Sequence, residues 1–260
     1  MADTGGRVLE AAAVSMEFGG LVAVDHVDLA IGEDEIVGLI GPNGAGKTTL
    51  FNCLTGMLVP TSGTVSYHGR RLPPRPDEVT RAGVARTFQN VRLFPNMTAL
   101  ENVLVGRHCR MQEGFAAALV RGRRFHREER EATARARQLL GFVGLGRAAG
   151  ALAKNLPYGD QRRLEIARAQ ATDPGVLLLD EPRAGMNASE TRATMDLVRK
   201  VRDEGTSVVV IEHDMRFVFG LCDRVAVLVQ GRKLVEGKPE EVQRDPRVVE
   251  AYLGTGAGRR

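Results

Sequence analysis

The sequence predicts an α/β fold: strands separated by turns at the N-terminal end, a helical subdomain in the middle, and apolar strands suited to a sheet covered on both faces beyond it. Three observations predict it. Short β-rich runs alternate with turns over the first forty or so residues, the middle of the chain is helical and arginine-rich, and near-continuous apolar runs return from Val176 onward. With 260 residues, 43% of them hydrophobic, the chain can bury a substantial core as one large domain, which excludes disorder as its dominant state.

The elements follow in order. Val8–Val14, Leu21–Ile31 and Glu35–Ile40 read as strands, separated by Gly19-Gly20 and by Gly32-Glu33-Asp34. A helix is expected from Lys47 through Thr55, a strand at Thr64–Tyr67, a loop at Pro73-Pro74-Arg75-Pro76 and a further strand at Val84–Phe88. From Thr98 to Ala171 the pattern is helical, and Ala132, Ala136, Leu139, Leu140 and Val143 form one stripe suited to packing against a neighbouring helix. Val176–Leu179 and Ser207–Ile211 are apolar enough for strands covered on both faces, with a helix at Glu190–Glu204 between them. Val225–Val229 leads through a turn at Gln230-Gly231-Arg232-Lys233 into Leu234–Glu236, and helices close the chain at Pro239–Gln243 and Pro246–Leu253. The expected division is a core with its β-subdomain at 1–97 and 172–238, the helical subdomain at 98–171, and C-terminal helices and tail at 239–260.

Charge and composition narrow the function. The 36 Lys+Arg and 32 Asp+Glu leave a formal +4, but both signs are interspersed, so no nucleic-acid partner is expected. No stretch approaches the roughly 20 apolar residues that span a bilayer, and Met1 to Glu10 lacks the apolar core of a secretory signal, so a cytosolic location is expected. Cys53, Cys109 and Cys222 form no CxxC pair and read as reduced packing residues.

The sharpest chemical signal is Gly41-Pro42-Asn43-Gly44-Ala45-Gly46-Lys47-Thr48-Thr49, placed between the strand ending at Ile40 and the helix it opens. This is the context of a phosphate-binding loop. Its glycines let backbone N–H groups turn inward as an anion nest, to which the helix dipole adds positive potential. Lys47 would reach the β- and γ-phosphates of ATP, and the Thr48 hydroxyl would ligate Mg²⁺. Asp180 and Glu181 end the second apolar strand. Because side chains alternate along a strand, one carboxylate can join the Mg²⁺ shell while the other faces an attacking water as general base, although acids after strands also cap helices and turns. His213 follows the third strand, which should lie parallel to the other two, and it would contact the γ-phosphate or serve as a packing or capping histidine.

The order of the phosphate loop, Gln89 in Arg86-Thr87-Phe88-Gln89-Asn90, Leu156-Pro157-Tyr158-Gly159-Asp160-Gln161-Arg162-Arg163, Asp180-Glu181 and His213 resembles the ATP-binding subunit of ABC transporters. The segments Phe88–Phe94, Met97-Thr98, Glu101-Asn102-Val103 and Ala184-Gly185-Met186-Asn187 are similar to the ATPases of branched-chain and hydrophobic amino-acid importers, over nearly the whole chain. The resemblance implies an α/β P-loop NTPase core of the ABC ATPase type with an N-terminal antiparallel β-subdomain and an inserted helical subdomain, peripheral on the cytoplasmic membrane face, hydrolysing ATP to drive two separate permease subunits. It also implies a second ATPase subunit, identical or paralogous, and indirect work with a substrate-binding protein. Other cassettes, for lipopolysaccharide export or urea import, and soluble or degenerate regulatory cassettes are competing readings.

Residue by residue, the resemblance implies that Phe18 stacks on adenine, where the alternative is an ordinary strand aromatic. Gln89 would touch Mg²⁺ or water, or else be a solvated loop residue. Glu181 would be the catalytic base and His213 the switch residue on the γ-phosphate. Leu156–Asp160, with Tyr158 and Gly159, corresponds to the signature loop that caps ATP held by a second copy. Two positions depart: Pro157 replaces the usual serine and supplies neither hydroxyl nor N–H, and Asp160 replaces glutamine, either adding negative charge near the phosphates or capping the helix. Weakened ATPase activity is expected from the first. Arg183 and Ala188 replace alanine and proline, changes to which the sequence assigns no effect. Arg107, His108, Arg110, Arg121, Arg123, Arg124 and Arg127, around Phe115–Val120, would form a solvated basic face, or one that meets lipid headgroups or a permease loop.

Overall fold

The computed structural model describes residues 6–110 and 123–253, organised by two sheets. The four-stranded sheet runs β2-β1-β4-β5, all antiparallel, from β1 (Arg7–Phe18), β2 (Leu21–Gly32), β4 (Ser62–Tyr67) and β5 (Arg70–Arg71). The six-stranded sheet runs β10-β9-β3-β8-β7-β6, from β3 (Ile36–Ile40), β6 (Val84–Arg86), β7 (Val176–Asp180), β8 (Ser207–Ile211), β9 (Arg224–Val229) and β10 (Arg232–Gly237). Its strands are parallel except β10, which returns from β9 as a hairpin through Gln230-Gly231.

Alternation along the central strands explains why their sequences are apolar throughout. Ile36 and Ile40 of β3 enter one core with Leu177, Leu179, Val208 and Val210, whereas Val37 and Leu39 enter the other with Leu178, Val209 and Ile211. Each such side chain, fully buried, contributes about 1.5–3 kcal/mol of transfer free energy. The second core lies between the two sheets and includes Leu9, Leu29, Ile31 and Phe51. The first joins the large sheet to the helices.

Those helices include α3 (Ala99–Arg107), α4 (Arg123–Phe142) and α5 (Tyr158–Gln170). Thr98 starts α3 in a reciprocal capping box with Glu101. The stripe Ala132, Ala136, Leu139, Leu140 and Val143 is buried, as its spacing predicts. The remaining helices are α1 (Lys47–Leu54), α2 (Pro76–Ala82), α6 (Ala188–Asp203), α7 (Met215–Leu221), α8 (Pro239–Arg244) and α9 (Pro246–Leu253). The proline loop is shorter than expected because Pro76 occupies the first turn of α2, where its missing N–H costs nothing.

The basic segment needs a correction. Arg107 pairs with Asp173, while Arg110 donates to the carbonyls of Thr172 at 2.6 Å, Arg81 at 3.0 Å and Asp173 at 3.2 Å. These two arginines fasten the end of α3 to the turn after α5 and are not a free basic face. Phe115–Val120, Arg121 and the side chains of Arg123 and Arg124 lie outside the described residues.

Parallel pairing brings the carboxyl ends of β3, β8, β7 and β6 to one edge. That edge delivers Gly41, Glu212-His213, Glu181 and Thr87–Gln89 side by side, where open α/β sheets hold ligands.

Candidate nucleotide-binding site

The loop from Gly41 to Gly46 is shaped by close backbone approach. At Gly41 (φ 151°) a Cβ would lie 2.1 Å from the carbonyl oxygen of Leu228 on β9, and at Gly46 (φ 96°) 2.3 Å from that of Ala23 on β2. Only glycine fits either position. Ala45 N–H closes back on Pro42 O at 3.1 Å, and Gly231 N–H binds Ala45 O at 3.1 Å, which pins the loop to the β9–β10 turn.

Lys47 opens α1 and curls over this loop, its Nζ donating to Gly41 O at 2.7 Å and Pro42 O at 3.0 Å. Burial pulls its ammonium below the usual lysine range, opposed by Glu181 and Asp180 nearby. Asn43, Gly44 and Thr48 are exposed, and Thr49 is half-buried. A concave loop with a lysine above it and a helix N-terminus behind it has the chemistry to grip a polyphosphate.

Asp180, the last residue of β7, is buried, and its Oδ2 accepts from Arg86 Nη2 at 2.6 Å. Arg86 also donates to Asn52 Oδ1 of α1 at 2.6 Å, and its guanidinium lies 5.5 Å and 5.2 Å from the ring centres of Phe51 and Phe88. One oxygen of Asp180 is therefore committed to Arg86. Oδ1 has no hydrogen-bond partner among the described residues.

Glu181 holds a left-handed backbone (φ 48°), with its N–H on Ile211 O at 2.9 Å. A non-glycine residue in that region stores strain that the neighbouring strand must hold, and such strain clusters at functional sites. Gln89 Nε2 donates to Glu181 Oε2 at 3.0 Å, and His213 Nδ1 lies 3.7 Å from Glu181 Oε1. The structure thus brings together three of the residues that the sequence singled out. Beneath His213, Glu212 is fully buried, its carboxylate accepting from the N–H groups of Arg183 at 3.1 Å and His213 at 3.2 Å. Burial pushes Glu212 up, opposed by those two N–H bonds and the nearby His213 and Arg183. Arg183 pairs with Asp214, which caps α7 by accepting from Phe217 N–H at 3.0 Å.

Other predicted positions stand apart from this cluster. Phe18 ends β1 with its side chain exposed, opposite Leu21 in the β1–β2 hairpin, and Asp25 N–H on Gly231 O at 2.8 Å ties β2 to the β9–β10 turn that pins the phosphate loop. Tyr158 and Gly159 form the first turn of α5, where the Tyr158 hydroxyl accepts from Arg162 Nε at 3.1 Å and Nη2 at 2.8 Å. A Cβ on Gly159 would sit 3.1 Å from Glu190 Oε1.

Asp160 is not the cap of α5. Pro157 takes that place, with no side-chain acceptor, and Asp160 lies in the first turn, where its charge suits the helix dipole and is paired with Arg163. Its negative charge is therefore offset within the chain.

Among the described residues no cluster of three or more His, Cys, Asp or Glu side chains could hold a metal by itself. Thr48, Gln89 and Asp180 offer only hard oxygen donors. This set fits Mg²⁺, an ion that keeps waters and shares substrate phosphates.

The sequence assigns no role to Arg86 and Arg162, which stand inside quoted motifs, or to Asn52 and Glu165. Arg162 donates to Phe88 O at 2.8 Å and to Gln89 O, and Glu165 Oε1 accepts from Phe88 N–H at 3.4 Å. For Arg162 and Glu165 the available signal was the charged spacing Arg162, Glu165, Arg168 along one helix, and burial of a charge cannot be read from spacing alone.

Comparison with known proteins finds relatives over nearly the whole chain. The family model described as ABC transporter matches residues 24–184, and that described as branched-chain amino acid ATP-binding cassette transporter matches residues 232–258. The high-affinity branched-chain amino acid transport ATP-binding protein LivG of Salmonella typhimurium is 49% identical over 92% of this chain and 94% of its own. Its counterpart BraF of Pseudomonas aeruginosa is 47% identical over 95% of this chain and 98% of its own. The crystal structure of the ADP conformation of an ATP-binding cassette of an ABC transporter superposes with a TM-score of 0.83, at 29% identity, over 95% of this chain and 99% of that one.

Proposed function

This chain belongs to the ABC transporter family, and we propose that it is the ATP-hydrolysing subunit of a membrane importer for branched-chain or hydrophobic amino acids, acting through separate permease subunits. The observation that carries the ATPase reading is Glu181 held between Gln89 at 3.0 Å and His213 at 3.7 Å, at the same sheet edge as the phosphate loop.

Backbone N–H groups of 41–49 and the Lys47 ammonium bind the triphosphate of ATP, with Lys47 exchanging its two loop carbonyls for phosphate oxygens. Thr48, the second oxygen of Asp180 and Gln89 would hold Mg²⁺, which would supply neutralisation of the phosphate charge. Glu181 accepts a proton from the attacking water, while Gln89 orients its carboxylate and His213 Nε2 faces the γ-phosphate. Phe18 stacks on adenine. Tyr158 and Gly159, at the start of α5, close over the nucleotide of a second ATPase subunit, identical or paralogous, and exclude water from it.

No helix among the described residues is long and apolar enough to cross a membrane. On this reading the solute passes through two permease subunits, fed by a substrate-binding protein, with this chain peripheral on their cytoplasmic face. The proposed division keeps a core and β-subdomain at 1–97 and 172–238, a helical subdomain at 98–171 and a tail at 239–260.

Pro157, which caps α5 without a hydroxyl, favours a second reading as a nucleotide-binding regulatory subunit with little turnover. Detergent copurification of the tagged chain, followed by ATPase assay of the reconstituted complex with a panel of amino acids and their binding protein, decides between them. Two permeases and stimulation by leucine-type solutes support import. Turnover no higher than that of Glu181→Gln supports the regulatory reading.

A further inference from the structure

Arg162, Glu165 and Arg168 sit at i, i+3 and i+6 on α5, and two of them are buried to an unusual degree, Arg162 at 3% and Glu165 at 1% exposure. Removing an ion from water costs several kcal/mol unless hydrogen bonds satisfy it. Here the bonds go to the backbone of the loop after β6. Arg162 Nη1 donates to Phe88 O at 2.8 Å and Nη2 to Gln89 O. Glu165 Oε1 accepts from the N–H groups of Phe88 and Arg92, each at 3.4 Å, and Arg168 donates to Arg92 O. Residues 88–92 belong to no strand or helix, so side chains of α5 do for this loop what a ladder does elsewhere.

The same guanidinium also reaches the other way, to the hydroxyl of Tyr158 at the start of α5. A continuous chain of contacts results: Tyr158 to Arg162, Arg162 to the carbonyls of Phe88 and Gln89, and the Gln89 side chain to Glu181 at 3.0 Å. Its two ends serve different nucleotides on the reading given above, on which this inference rests. Glu181 belongs to the site of this chain, and Tyr158 to the one it closes on a second copy.

We infer that Arg162 is a positioning residue that locks the Gln89 loop to the first turns of α5, so that nucleotide arriving at this chain's own phosphate loop shifts the surface that caps the second nucleotide. A planar fork with five donors is required to bind two carbonyls and a hydroxyl at once, which an ammonium cannot reproduce. Glu165 and Arg168 hold the far end of the loop, at Arg92, to the same helix.

Hydrogen–deuterium exchange on the full-length chain, with and without Mg-ATPγS, tests this. In the parent, nucleotide slows exchange in residues 41–49 and also changes exchange in residues 156–164. In Arg162→Lys the first effect persists, with nucleotide affinity within about threefold, whereas the second falls at least threefold. Arg168→Gln, at the end of the clamp nearer solvent, is a second variant that leaves Arg162 beside Glu165, and with its fold checked by urea unfolding it also weakens the response of 156–164. An unchanged response of 156–164 in both variants overturns the inference. So does protection of 41–49 in the parent with no change at 156–164, an outcome that leaves the ATPase reading standing. No protection of 41–49 in the parent overturns both.

Discussion

Gln89 and Glu181 are joined by a hydrogen bond, Nε2 to Oε2 at 3.0 Å, that bridges the loop after β6 and the end of β7. His213 Nδ1 lies 3.7 Å from the other carboxylate oxygen, beyond hydrogen-bond distance, so the bond from Gln89 is what orients the proposed base. Glu181→Gln keeps the shape and removes the basicity. Turnover should fall by roughly 10²–10⁴, the range for loss of a general base, while Mg-ATP affinity changes little. Steady-state phosphate release and equilibrium nucleotide binding on the same preparations check this.

Pro157→Ser separates two effects of the altered signature turn. As an N-cap of α5, serine should stabilise the nucleotide-free chain by about 1 kcal/mol, read from urea unfolding. As a donor to the second nucleotide it should add about 1.5–3 kcal/mol, or roughly ten- to hundredfold in ATP-driven association, read by sedimentation with Glu181→Gln in the background. A gain in stability without any gain in association would confine the proline to a capping role.

Arg86 and Asp180 form a buried ion pair, each side chain 7% exposed. Arg86→Met strands the Asp180 charge and should cost about 3–5 kcal/mol in urea unfolding. Adding Asp180→Leu should recover most of that loss, because two apolar groups then replace two ions. Additive losses in the double variant would contradict a coupled pair.

Glu35, in the turn before β3, accepts from Arg224 Nε at 2.7 Å, Arg224 Nη2 at 2.8 Å and Gly32 N–H at 2.9 Å. Burial pushes its carboxyl up, but the Arg224 and Gly32 bonds outweigh this and hold it below the ordinary value of 4.5. A depressed carboxylate contributes stability that is fully present above the unfolded value and lost as pH falls through the folded one. Glu35→Gln should therefore cost about 1–2 kcal/mol at neutral pH, and the gap from the parent should close in acid below the usual carboxylate value. Urea unfolding across that range gives the comparison.

The elements that the sequence located best are those whose signal is local. Ser207–Ile211 and Pro246–Leu253 have the bounds that their patterns predict, and Gly41–Thr49 announces itself because only glycine can pass Leu228 and Ala23 so closely. The α2 helix was hidden by Pro76, which reads equally as loop or as helix start. Of the two roles open to Asp160, the cap is excluded because Pro157, which offers no acceptor, takes the capping place. Arg86 and Arg162 stand inside quoted motifs, but nothing in the sequence shows what they bind. Their partners, Asp180 and the carbonyls of Phe88 and Gln89, lie 94, 74 and 73 residues away in sequence, and only the closed fold makes them neighbours.

The most direct test of the whole account is calorimetric titration of the full-length chain with Mg-ATPγS. It predicts saturable one-site binding that Lys47→Ala weakens by roughly ten- to hundredfold, the share of a charge-assisted hydrogen bond to phosphate. Absence of binding heat in the parent, or an undiminished isotherm in Lys47→Ala, would contradict it.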